Sequence, residues 1–296
     1  MGRSAGPRRE AHRPASRSRV GRAVADPRPH AEATANYRVV VEYDGTGFCG
    51  FQYQPRERTI AGELEAALSR LFDSPIKIAG AGRTDAGVHA TGQVVSFAAH
   101  AAFPVDKLAI ALNSALPPDI TARDAAYAPE RFSARLSAIE RRYTYVVLNR
   151  PEPSAVVRRY AHFEYHALDV ERMRRAACDL VGTHDFASFC GVLPEHGGTV
   201  RTLHALELES SGDLLTVHLR ANGFLHRMVR IAVGTLLEIA SGRRPADAIP
   251  AILAARDRRA AGLTAPPQGL FLTGVRYADF TSERPIFGRS PFERGA

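Results

Sequence analysis

From residue 37 to 43 the chain reads Tyr37-Arg38-Val39-Val40-Val41-Glu42-Tyr43, an apolar and β-branched run that predicts a strand. Asp44-Gly45-Thr46-Gly47 after it predicts a turn. The period then changes: Ile60, Leu64, Leu68 and Leu71 fall on one face of a helix spanning residues 59–72. A short strand at 76–79, a glycine-rich stretch at 80–92 and a strand at 93–97 complete a β-α-β-β order. The order recurs later, with no obvious residue identity. Residues 142–148 alternate as a strand, and 170–181 form a helix with Met173, Ala177 and Leu180 on one side. Strands at 200–208 and 214–220 flank the turn Ser210-Ser211-Gly212-Asp213. Helices at 224–240 and 245–255 and a strand at 270–277 follow. The expectation is an α+β fold of two units, each with an antiparallel sheet, and a site where the units meet.

Composition adds bounds. The chain has 296 residues, 45% hydrophobic and 24% charged, which is ordinary globular usage with room for one sizeable core or two smaller ones. The longest apolar runs are too short to span a bilayer, and Pro250 interrupts the one at 248–255. The first residues show no apolar signal-peptide region, so neither a membrane nor secretion is expected. The three cysteines, Cys49, Cys178 and Cys190, have no CxxC spacing and suit a reducing cytoplasm. His89, His184, His204, His218 and His226 match no ligand spacing, so no metal is expected.

Charge is unevenly shared. Residues 1–35 hold eight Arg against Glu10, Asp26 and Glu32, a net +5 of the whole chain's +8. They carry too little large apolar surface to fold alone and read as a disordered basic tail, with a transit peptide as the alternative. Such a tail would add nonspecific phosphate attraction. Lys77 and Lys107 are the sole lysines. Arginine suits bidentate phosphate contacts and base stacking, although codon bias explains the preference equally well. The organisation expected is a tail at 1–35, α+β units at 36–140 and 141–280, and a C-terminal tail at 281–296.

Candidate chemistry concentrates at 80–92. Glycines 80, 82, 87 and 92 permit unusual backbone conformations and close approach. Within them Arg83-Thr84-Asp85 sets a carboxylate near a fixed cation, a plausible nucleophile.

Ala81-Gly82-Arg83-Thr84-Asp85-Ala86-Gly87-Val88-His89 resembles the catalytic motif of the tRNA pseudouridine synthase A family. Other segments agree with that family in the same order: Tyr43-Asp44-Gly45-Thr46, Phe51-Gln52, Leu112-Asn113 before Leu116-Pro117, and Phe132-Ser133-Ala134-Arg135. Further on come Arg142-Tyr143-Thr144-Tyr145, Gly182-Thr183-His184-Asp185-Phe186, Phe224-Leu225-His226-Arg227-Met228-Val229-Arg230 and Gly269-Leu270-Phe271-Leu272. The resemblance covers about residues 37–280.

It implies two RRM-like, ferredoxin-like subdomains joined across a central RNA-binding cleft. It also implies an isomerase that converts uridine to pseudouridine at positions 38, 39 and 40 of the tRNA anticodon stem-loop, as a homodimer with no cofactor. By the same resemblance Asp85 is the nucleophile, attacking either uracil C6 or the ribose. Arg230 pairs with Asp85 and orients it, and Tyr143 stacks on the target base, where its hydroxyl could take the C5 proton. Leu270 forms an apolar wall. Arg83 contacts RNA and could fill the space left by the flipped base. The chain departs from the family pattern at Phe51, where Trp is usual, at Arg227, often His, and at Ile231, often Asn. Ile231 puts hydrogen bonding beside Arg230 in doubt. The competing readings are pseudouridylation of other RNA positions, a non-catalytic RNA-binding protein on the same fold, and a carboxylate hydrolase, which would need a second acid.

Overall fold

The alternation read at 37–43 becomes β1 (Thr34–Tyr43), whose Tyr37, Val39, Val41 and Tyr43 are buried. The computed structural model describes residues 1–2, 34–100 and 103–286, so the tails expected at 1–35 and 281–296 lie largely outside the described residues. After β1 come α1 (Ile60–Leu71), β2 (Ala79–Gly80), β3 (His89–His100), α2 (Val105–Ala115) and β4 (Ile120–Ala128). The later half contributes β5 (Glu140–Asn149), β6 (His162–Glu164), α3 (Val170–Cys178), β7 (Gly182–Asp185), β8 (Val200–Ser211) and β9 (Leu214–Ala221). It ends with α4 (Met228–Ala240), α5 (Ala248–Ala255) and β10 (Leu270–Arg276).

Local sequence explains most of these elements. Thr59 caps α1 by accepting the Gly62 N–H, Glu63 sits in the positive first turn, and Ile60, Ala61, Leu64, Ala67 and Leu68 make its buried stripe. Asp169 caps α3 in the same way, through the Arg172 N–H. In α4, 11 of 13 residues are buried, so this helix runs through the interior rather than over it.

The expected mixed fold with a largely antiparallel sheet is present, but its strands form one continuous sheet instead of two. The path is β4-β1-β3-β10-β5-β9-β8-β7, with β2 added to β3 and β6 to β5. The join is β10. It lies antiparallel to β5, with Leu272 opposite Tyr143, and parallel to the start of β3, with Phe271 opposite His89. A strand edge left open by the later half is thus paired by the earlier one. Gly92 permits the approach, since a Cβ there would lie 2.4 Å from the Thr273 carbonyl oxygen. The core is shared as well: Tyr37, Val39, Leu64 and Leu68 belong to the same buried cluster as Tyr145, Met173, Val217, Leu236 and Leu272.

Other boundaries move for identifiable reasons. The strand expected at 76–79 shrinks to Ala79–Gly80. The glycine-rich stretch ends early because β3 begins at His89. The helix expected from 224 begins at Met228, after Arg227 adopts the left-handed conformation at φ 59°. The helix expected from 245 begins at Ala248.

Four elements have no counterpart in the sequence reading: α2, β4 and the short strands β6 and β7. β4 is alanine-rich and lacks clear alternation, and a bulge opposite Val40 and Val41 interrupts it. The Asn113 side chain, on α2, repairs that edge. It donates to the Ala122 carbonyl at 2.8 Å and accepts the Ala122 N–H at 2.7 Å.

Candidate active site

The loop between β2 and β3 carries Asp85 to the boundary between the two halves. Several contacts fix its backbone: Ala81 N–H donates to Val94, Phe51 N–H to the Thr84 carbonyl at 3.0 Å, and Val88 N–H to the Asp85 carbonyl at 3.1 Å. Two glycines fit this loop against its neighbours. Gly50, at φ 93°, lies against the Thr84 carbonyl, and Gly80 leaves room for the Phe51 ring, which a Cβ would meet at 2.4 Å. Phe51 is buried and fills its place in the core.

Across from the loop, α4 supplies Arg230. Its Nη1 donates to Asp85 Oδ2 at 2.7 Å and its Nε to the Ala265 carbonyl at 2.8 Å. The Ala265 N–H in turn donates to the Arg230 carbonyl at 2.9 Å. The guanidinium is therefore oriented by one segment and aimed at a carboxylate on another, a charge-assisted bond with fixed geometry. The doubt raised by Ile231 is resolved by packing. Ile231 is fully buried, its N–H donates to the Arg227 carbonyl, and Ala265 holds the Arg230 fork.

Tyr143 on β5 and Leu270 on β10 complete the wall. Both are buried, and both line a small cavity with Arg83, Asp85, Phe224 and Arg230. The cavity measures about 40 Å³, room for at most a few water molecules. The Phe224 ring stands edge-on to Tyr143, with centroids 5.1 Å apart. Burial pushes the Tyr143 phenol well above its usual range, and the neighbouring Tyr43 and Asp85 push it further. Arg83 is exposed at the rim. All five residues singled out in the sequence thus line one cavity.

Sequence reasoning missed several members. His226 Nε2 lies 3.9 Å from Asp85 Oδ1, although its spacing to other histidines gave it no role in the sequence. Arg141 donates to the carbonyls of Ala81, Arg135, Ala138 and Asn222, tying the Asp85 loop to the later half. Burial pulls its guanidinium below the ordinary value. Gln93, Tyr43 and Thr84 form a buried network beneath the loop. A glutamine directly before the apolar pair Val94-Val95 was the available signal for it. Among the described residues, no group of three or more His, Cys, Asp or Glu is arranged to hold a metal ion. No helix there is long and apolar enough to cross a membrane.

The cavity thus holds one carboxylate oriented by one guanidinium. The family profile described as tRNA pseudouridine synthase matches residues 39–135 and 176–278. "tRNA pseudouridine synthase A" of Halalkalibacterium halodurans is 50% identical over 231 residues, covering 78% of this chain and 88% of that protein. The proteins of that name from Caldicellulosiruptor bescii and Bacillus subtilis are 42% and 43% identical, covering 82% and 81% of this chain and 99% and 98% of their own lengths. Among solved structures, an archaeal box H/ACA sRNP Nop10-Cbf5 complex matches with 13% identity and a TM-score of 0.31, over 68% of this chain and 44% of that one. That likeness is too slight to bear on fold or function. The chain belongs to the tRNA pseudouridine synthase family, whose members are isomerases acting on uridine in RNA.

Proposed function

We propose that this chain converts uridine to pseudouridine at positions 38, 39 and 40 of the tRNA anticodon stem-loop, with Asp85 as the nucleophile. The observation that carries the reading is the Asp85 carboxylate, held at 2.7 Å by Arg230 in a cavity walled by Tyr143 and Leu270. The isomerisation breaks the C1′–N1 bond and makes a C1′–C5 bond; N1 gains a proton and C5 loses one, so no external oxidant or reductant enters. Asp85 adds to the target nucleotide and frees the base to turn, and its bond to the nucleotide breaks again once C1′ is joined to C5, which restores the carboxylate. Arg230 keeps the attacking oxygen in place, and Tyr143 stacks on the base while its hydroxyl passes the C5 proton onward. Leu270 excludes water, and Arg83 at the rim contacts the RNA around the extruded nucleotide.

Acting on three neighbouring positions implies recognition by backbone shape, which suits an arginine-lined rim. The halves read as RRM-like units. The sheet orders β4-β1-β3-β2 and β10-β5-β9-β8 support this, being the same arrangement twice. We read the enzyme as a cytoplasmic homodimer, residues 1–35 as a basic tail that adds phosphate attraction, and 36–140 and 141–280 as the two units.

The test is incubation of uridine-labelled tRNA with the wild type and with Asp85→Ala, followed by mapping of pseudouridine. The expected result is product at positions 38 to 40 with the wild type alone. Product from Asp85→Ala would end the mechanism, and product confined to another stem would end the substrate assignment.

A further inference from the structure

Gln93 lies on β3 beneath the catalytic loop, and its side chain is fully buried. A buried amide is costly unless its donors and acceptor are used. Here they are. Nε2 donates to the Gly82 carbonyl at 2.7 Å, and Oε1 accepts the N–H groups of Gly82 at 3.3 Å and Val94 at 3.2 Å. One side chain therefore grips both polar groups of a residue three positions before Asp85.

The second Nε2 proton extends the grip. Nε2 donates to the Tyr43 hydroxyl at 3.3 Å, and that hydroxyl lies 2.8 Å from Thr84 Oγ1. Since Tyr43 oxygen accepts from Gln93, its single proton is available to Thr84. Tyr43 and Thr84 are both buried, and burial pushes the Tyr43 phenol up to about 12, so it remains a donor at neutral pH. The chain of contacts thus ends on the residue adjoining Asp85. Only Arg83 stands between the two gripped positions, and it is exposed.

This clamp matters because the partner of Asp85 is fixed independently. Arg230 is oriented by Ala265, on a segment that does not touch Gln93 through any of these bonds. A contact of 2.7 Å between two separately anchored groups tolerates little error on either side. An apolar residue at 93 would fill the same space without gripping the loop.

We infer that Gln93 is a positioning residue for the reaction, acting through Gly82 and through Tyr43 and Thr84 to set the Asp85 carboxylate against Arg230. The inference rests on Asp85 being the nucleophile, which Asp85→Ala tests separately with Gln93 intact. The experiment measures single-turnover pseudouridine formation and tRNA affinity for Gln93→Leu and Gln93→Glu. Gln93→Leu should lose about 100-fold in rate with unchanged tRNA affinity. Gln93→Glu should recover activity relative to the wild type as pH falls, because only the protonated carboxyl can donate to the Gly82 carbonyl. A wild-type rate in Gln93→Leu, an affinity loss that matches the rate loss, or a Gln93→Glu deficit independent of pH would each overturn the inference. Should Gln93→Leu fail to fold, Tyr43→Phe and Thr84→Val carry the test. Each should lose about 10-fold in rate, and the double variant no more than either single one. Neutral or additive effects would overturn it.

Discussion

Nη1 of Arg230 lies 2.7 Å from Oδ2 of Asp85, although 145 positions separate the two residues in the chain. Asp85 sits on a loop of the earlier half and Arg230 on the buried helix of the later half. The site exists because β10 ties both halves into one sheet and brings these residues together.

Arg230 makes two bonds from two different nitrogens, one to Asp85 and one to Ala265. A lysine keeps the charge but offers one compact ammonium in place of the planar fork. Arg230→Lys should fold and bind tRNA, yet lose about 100-fold in single-turnover rate. Rapid-quench measurement checks this, and a rate within a few-fold of wild type would show that charge alone suffices.

Tyr143 is buried and its phenol is held neutral at working pH. It should act by stacking and by passing a proton through its hydroxyl, not as a standing tyrosinate. Between about pH 7 and 9 the wild-type rate should therefore not climb tenfold per unit. Tyr143→Phe should bind tRNA normally and turn over about 100-fold more slowly. Undiminished turnover would confine Tyr143 to stacking.

Gly234 in α4 faces the segment that holds Arg230. A Cβ at 234 would fall 1.9 Å from the Leu263 carbonyl oxygen and 3.1 Å from the Ala265 nitrogen. Neither is the end of a flexible side chain, so backbone must move. Gly234→Ala should cost about 1–3 kcal/mol despite its better helix propensity. It should also slow the reaction by displacing Ala265 from Arg230. Urea midpoints and rates measured together decide this, and an unchanged midpoint would refute it.

Burial raises the phenols of Tyr43, Tyr143, Tyr145 and Tyr277 above their unfolded value. With folded values above the unfolded one, their contribution is fully present below about pH 10 and is lost as pH rises beyond it, when the unfolded chain ionises first. Chemical denaturation between about pH 8 and 12 should show a midpoint that holds and then falls above pH 10. Tyr145→Phe should flatten the fall. A midpoint rising with alkali would contradict the burial.

Much of this molecule was legible in its residues. The valine run of β1 and the stripe of α1 state their own periods, and local sterics and capping enforce them. The motifs around Asp85, Tyr143, Arg230 and Leu270 could be matched in order to a family pattern, and all four residues line one cavity. β4 stayed hidden because its alanines carry no alternation, and its bulged edge is repaired by Asn113 from another element. His226, Arg141 and Gln93 stayed hidden because their partners lie far away in sequence: Asp85, Ala81 and Asn222, and Tyr43.

The residues alone thus determined which groups are available and where the strongly periodic helices and strands lie, since propensity and periodicity act over a few neighbours. Only the tertiary structure decided that the two halves share a single sheet and one core. It alone aimed Arg230 at Asp85, because a 2.7 Å contact between distant segments depends on strand pairing and close packing that no local pattern encodes.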